Sequence, residues 1–235
     1  MADTDDLAAA ASAEARRARH VVERDVQQLQ GILASLGYRE DLRSLDQFSS
    51  RFAEYRRLDD EILPLAVENT NVKAQRLSFG PAREAGDAFR SSIEAAVRTG
   101  ATKDTCRAEA VAARAQLDVL EIQVAHARHI AEAEDAAMTR MEGRMTVSAA
   151  DARKALDELR TIASPQAAPQ LDAAAGALDR FMSVHKEIIT LSRRNNDVRS
   201  LALSLGRKRT VTAECEAQLQ ALEEVLAQHQ FTATR

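Results

Sequence analysis

His126 and His129 lie one helical turn apart, so both rings could meet one metal ion. His20 repeats the same local Ala-Arg-His, but spacing fixes no third ligand, and a pair of surface histidines is the expectation. Met138, Met141 and Met145 form a stripe at helical spacing. Thioethers could take Cu(I), or with His185 ligate haem; methionine is equally an ordinary filler of helical cores. Covalent haem is excluded, since no Cys-x-x-Cys-His occurs. There is no glycine-rich phosphate loop, no His-Glu-x-x-His, no nucleophile elbow and no paired Glu-x-x-His of a di-iron bundle. No catalytic residue, metal or cofactor is assigned, and no enzyme is expected.

Asn69 and Asn195 carry more information, because both interrupt apolar stripes where a large aliphatic side chain would be usual. Counting from the expected turns puts Glu134 at their level. Buried amides and a buried carboxylate cost several kcal/mol without partners. The layer then either sets the register of the helices or holds a small polar ligand or ordered water. The candidate ligand-binding residues are Asn69, Asn195 and Glu134, with Arg194, Asp197 and His129 about them; Thr70, Asn71, Arg193 and Asn196 flank the layer. If Asn195 is a plain core amide, Asn195→Leu should keep the fold and stabilise it.

The elements that must position these residues are helices. Hydrophobic residues are 45% of the 235, yet aromatics are 3% and Trp is absent. Only 8 Gly and 4 Pro punctuate the chain, so an Ala/Leu/Glu/Arg-rich sequence runs with few breakers, which is the composition of long helices. A net charge of −4 argues against a nucleic-acid binder. No apolar run approaches the roughly 18–20 residues of a membrane span, and the acidic start lacks a signal peptide's apolar core, so a soluble chain is expected. Cys106 and Cys215 are too few for a disulfide framework and read as small, buried or half-buried residues.

Gly37, Thr99-Gly100 and Ser164-Pro165 are the credible turns. They predict four helices, at about residues 5–36, 39–98, 103–162 and 166–229. Thr102 should cap the third, Pro81 should bend the second, and a kink near Gly143 would suit the third. The fold class predicted is all-α: an elongated up-and-down antiparallel four-helix bundle, one domain over residues 1–235, made of hairpins 5–98 and 103–229.

An internal repeat supports the duplication. Residues 61–80 read EILPLAVENTNVKAQRLSFG and residues 187–206 read EIITLSRRNNDVRSLALSLG, identical at eight of twenty positions and 126 residues apart. The seams run Tyr55, Leu58, Ile62, Leu65, Asn69, Val72, Arg76, Phe79 and Phe181, Val184, Ile188, Leu191, Asn195, Val198, Ala202, Leu205. In the third helix the same spacing picks out Val124, Ala127, Ala131, Glu134, Met138, Met141 and Met145. The second and fourth helices should be diagonal and parallel.

An apolar heptad followed by Asn-x-x-Val and Leu-Ser-x-Gly, present twice, resembles the four-helix-bundle sensor domain of bacterial methyl-accepting chemotaxis receptors. The resemblance implies a periplasmic or other extracytoplasmic sensor that binds a small molecule or partner, forms a homodimer, and passes a helix displacement to the membrane through segments absent from this chain. A cytoplasmic location, a scaffolding bundle without ligand, and a metal- or haem-binding bundle are the alternatives. The dimer contact is expected near residues 80–100 and 205–229, where Phe79, Phe89, Ile93, Val97, Leu219 and Leu222 would otherwise lie bare. A fold-back at Gly80-Pro81 could instead close that core within one chain.

Overall fold

Ala, Leu, Glu and Arg favour the helix wherever nothing interrupts them, and nearly every residue in the computed structural model, which describes residues 4–99 and 104–233, is helical. Helix α1 (Thr4–Leu36) closes at Gly37. There φ is +74°, and the Gly37 and Tyr38 N–H groups donate to Ala34 and Leu33 carbonyls, the paired C-terminal closure that glycine permits. Helix α2 (Arg39–Glu68) ends at Asn69, in the left-handed region at φ 49°. Then come α3 (Thr70–Leu77), a π-helical turn over Ser78–Ala82 that carries Pro81, and α4 (Arg83–Thr99). The irregular turn at Pro81 matches expectation; the break at Asn69 does not.

Helix α5 (Thr105–Ala131) is capped by Asp104, whose carboxylate accepts the Arg107 N–H at 3.1 Å. The cap expected at Thr102 and the turn residue Gly100 lie outside the described residues. Extended residues Glu132 and Glu134 then separate α5 from α6 (Asp135–Ile162). Helix α6 runs through Gly143 unbroken. Ser164 and Pro165 open a short turn into α7 (Ala168–Arg194), as expected. Helix α7 ends at Asn195 with φ 53°, followed by α8 (Asn196–Leu203), a second π-helical turn over Ser204–Lys208, and α9 (Arg209–Ala233).

The 126-residue repeat is therefore a repeat of structure. Each copy has an asparagine at positive φ, a helix of 8 residues and a π turn of 5. The chain is all-α but not strictly a four-helix bundle. The described residues form five helices, two of them long and bent (α2–α4 and α7–α9), and the expected third helix is a hairpin of two.

The chain divides into two compact units, residues 1–69 with 196–235, and residues 70–195. In the first, α2 packs on α1 and on α8–α9 around Leu33, Leu45, Phe48, Leu58, Ile62 and Val211. Pairing of Asp41 with His229 and of Asp59 with Lys208 shows that α2 and α9 run antiparallel. In the second unit α3–α4, α5, α6 and α7 alternate in direction: Arg107 of α5 meets Glu158 of α6, and Arg160 of α6 meets Asp172 of α7. Phe89, Ile93, Ile122, Leu178, Phe181 and Ile188 fill its core, each worth about 1.5–3 kcal/mol of burial.

Several expectations are corrected. The two long helices are antiparallel neighbours in each unit, not parallel diagonals. The left-handed asparagines rotate the apolar stripe beyond them, so Phe79 and Leu205, equivalent in the repeat, are 61% and 63% exposed. Of the residues expected to lie bare, Phe89, Ile93 and Leu222 are buried within their own units, while Phe79 and Leu219 are exposed. Cys215 is buried but Cys106 is exposed, and both are free. Among the described residues no helix is long and apolar enough to cross a membrane.

Candidate functional site

The polar groups converge inside the second unit. The backbone is extended at Glu132 and Glu134 between α5 and α6, so the last carbonyls of α5 have no helical partner and need other donors. Asn71 Nδ2 donates to the Ile130 carbonyl at 2.6 Å, and Asn195 Nδ2 donates to the Glu132 carbonyl at 2.8 Å. The two amides are joined, Asn71 Nδ2 donating to Asn195 Oδ1 at 3.0 Å. Glu132 completes the turn by accepting the Ala133 and Glu134 N–H groups on its own carboxylate, at 2.9 and 3.0 Å. Two asparagines from α3 and the end of α7 thus hold the α5–α6 turn open.

Below this layer lie three histidines. His126 and His129 are fully buried, contrary to the surface pair expected. They continue the stripe Ala115, Val119, Ile122 in steps of three and four, a signal present in the sequence alongside the Val124–Ala127–Ala131 stripe, which proves to be exposed. His126 Nε2 is 2.9 Å from His185 Nδ1 and its Nδ1 is 3.4 Å from the Ser78 hydroxyl. Two ring nitrogens can share one proton only if the accepting ring is neutral. Burial pushes His126 down to about 3, with the neighbouring His185 and His129 adding to the fall. Burial lowers His185 too, helped by His129 and opposed by Glu142.

His129 links α5, α6 and α7. Its Nε2 is 2.8 Å from Glu142 Oε1, and its Nδ1 is 2.8 Å from Ser192 Oγ. Glu142 is held by Arg193 through Nε at 2.6 Å and Nη2 at 3.0 Å, a two-point grip that lowers the carboxyl's proton affinity, with His129 assisting. Carboxylate, imidazole and hydroxyl in a row have the order of a nucleophilic triad. Ser192, however, is fully buried, and its hydroxyl also donates to the His129 carbonyl at 3.0 Å. A substrate has no approach to it, so the row serves as a structural strut. Among the described residues no group of three or more His, Cys, Asp or Glu could hold a metal ion, and Met138, Met141 and Met145 are core filler on α6.

The candidate residues separate accordingly. Asn195 and His129 belong to this network. Asn69 is buried in the first unit, where its amide donates to Asp5 Oδ1 at 2.8 Å. Glu134 is exposed and only precedes α6; the place given to Asn69 and Glu134 beside Asn195 is taken by Asn71 and the Glu132 carbonyl. Arg194 is exposed at the end of α7, and Asp197, in the first unit, is half-buried with its carbonyl accepting from Ser200.

On the outer side of the same hairpin lies an open groove of about 450 Å³ between α5 and α6. Leu117, Leu120 and Val124 form one wall, Met141 and Met145 the floor, and Arg128 and Arg144 stand at one end. Comparison with known protein families, characterised proteins and solved structures finds no match for this chain.

Proposed function

We propose that this chain is a ligand-responsive sensor domain without catalytic activity, of the extracytoplasmic kind that chemotaxis receptors carry. The observation that carries the reading is the asparagine bridge: Asn71 and Asn195 tie the α5–α6 turn to the start of α3 and the end of α7. A ligand that shifts the hairpin would pull, through two amides, on the start of α3 and the end of α7, a small rigid displacement of the sort receptors transmit. The duplicated Asn-x-x-Val and Leu-Ser-x-Gly segments supply the likeness to chemotaxis receptors. A homodimer belongs to the same proposal, through a face other than the Phe89–Ile93 stripe.

Thermal-shift screening against amino acids, organic acids and metal ions tests it. A ligand bound only to the folded state at about a hundredfold over its Kd should raise Tm by about 5–10 °C. If no compound in the screen stabilises the protein, the sensor reading fails.

A further inference from the structure

We infer that the groove between α5 and α6 binds a monocarboxylate with an apolar body about 10 Å long. Helix α5 is apolar on two faces. One is the core face; the other is the stripe Leu117, Leu120, Val124, which is 58%, 51% and 60% exposed. A surface helix normally turns charge to the water there. Three large side chains in a row, beside a groove floored by Met141 and Met145, form an apolar channel whose volume suits a small ligand.

The charge at its end fixes the ligand's head group. The hairpin sets residue 129 against 142 and residue 121 against 148, so Arg128 and Arg144, which both line the groove, lie about two residues, or about 3 Å, apart along it. Arg107 and Arg114 of α5 and Arg153 and Arg160 of α6 each pair with a carboxylate. Arg128 and Arg144 have no hydrogen bond or ion pair among the described residues. Two neighbouring cations with no counter-charge repel unless an anion joins them, and two guanidiniums suit a carboxylate. Glu121 lines the other part of the groove, its carboxylate accepting from Ser148 Oγ at 3.1 Å. It lies two helical turns from Arg128, about 10 Å, and repels a second carboxylate, which selects a monoacid over a diacid.

The inference deepens the sensor reading by naming its ligand class, and rests on it. Isothermal titration of the whole chain with octanoate, octylammonium, octanedioate and acetate tests it. Octanoate should bind saturably with a Kd of about 1 mM or tighter, while octylammonium, octanedioate and acetate bind at least about tenfold more weakly. The double variant Arg128→Gln/Arg144→Gln, whose side chains are exposed, should keep its Tm and lose octanoate affinity by about tenfold or more. Leu120→Ser should weaken octanoate as well. Absence of saturable octanoate binding, equal affinity for octylammonium, or an unaltered double variant would overturn the inference. So would a self-association that Leu120→Glu disperses, which would assign the stripe to a second copy. A compound that stabilises the protein independently of Arg128 and Arg144 overturns the groove and leaves the sensor reading standing.

Discussion

Asn195 does two jobs with one side chain. Its backbone sits at φ 53°, where asparagine is tolerated and a bulky residue is strained by about 1–2 kcal/mol. Its amide makes two buried hydrogen bonds, to Asn71 and to the Glu132 carbonyl. The sequence-based expectation that Asn195→Leu stabilises the fold is therefore reversed: it should cost about 2–4 kcal/mol in chemical denaturation, through strain and two orphaned partners. Asn195→Gly removes the strain and keeps the hydrogen-bond loss, so it should cost less than the leucine. Equal stability of Asn195→Leu and wild type would mean that the amide bridge carries no weight. The histidine pair makes a second prediction. His126 and His185 have folded pKa values below the unfolded one, so the unfolded chain binds more protons between about pH 3 and 6.5. Stability is complete above that window and falls as pH drops through it. At about pH 4.5 the loss from His126 alone should reach about 2–3 kcal/mol. His126→Phe, which leaves an apolar ring beside Phe181, should flatten the slope of urea midpoint against pH; an unchanged slope would contradict the assignment.

The turn between α5 and α6 shows how far local sequence reaches. Gly37, Ser164 and Pro165 act on their own backbone, and those turns are legible because the cause lies within a few residues. The stripe Leu58–Ile62 is legible for the same reason. Ala131-Glu132-Ala133-Glu134 has no such punctuation, and a continuous helix is the natural reading. What stops it is tertiary: amides 59 and 63 residues away from the carbonyls they bond. Once that break is missed, the apolar phase of α5 is lost and two core histidines look like surface ones. The repeat is legible as letters, but that its asparagines sit at positive φ and turn the stripe is not, because asparagine suits both a seam position and a helix terminus. At this scale, Asn71→Ala should leave the bundle folded and cost about 1–3 kcal/mol. Hydrogen exchange should then accelerate around residues 128–136 more than in the middle of α6; uniform protection would contradict the capping role.

Across the molecule, one local device appears twice. An asparagine ends a helix, eight residues resume it, and a π turn of five residues leads into the next helix, in copies 126 residues apart. Such breaks cost backbone hydrogen bonds and are tolerated where the interruption serves the assembly. In the second unit the break at Asn195 and the start of α3 coincide with the amide bridge to the hairpin, and the groove opens on that hairpin's outer face. Sensing, on this account, means that a ligand on α5–α6 is felt at the end of α7. Hydrogen exchange measured with and without the strongest stabiliser from the thermal-shift screen tests this most directly. The account predicts added protection along residues 117–148 that extends through the α5–α6 turn to residues 190–195. Protection absent from the hairpin, or confined to it with residues 190–195 unchanged, would contradict it.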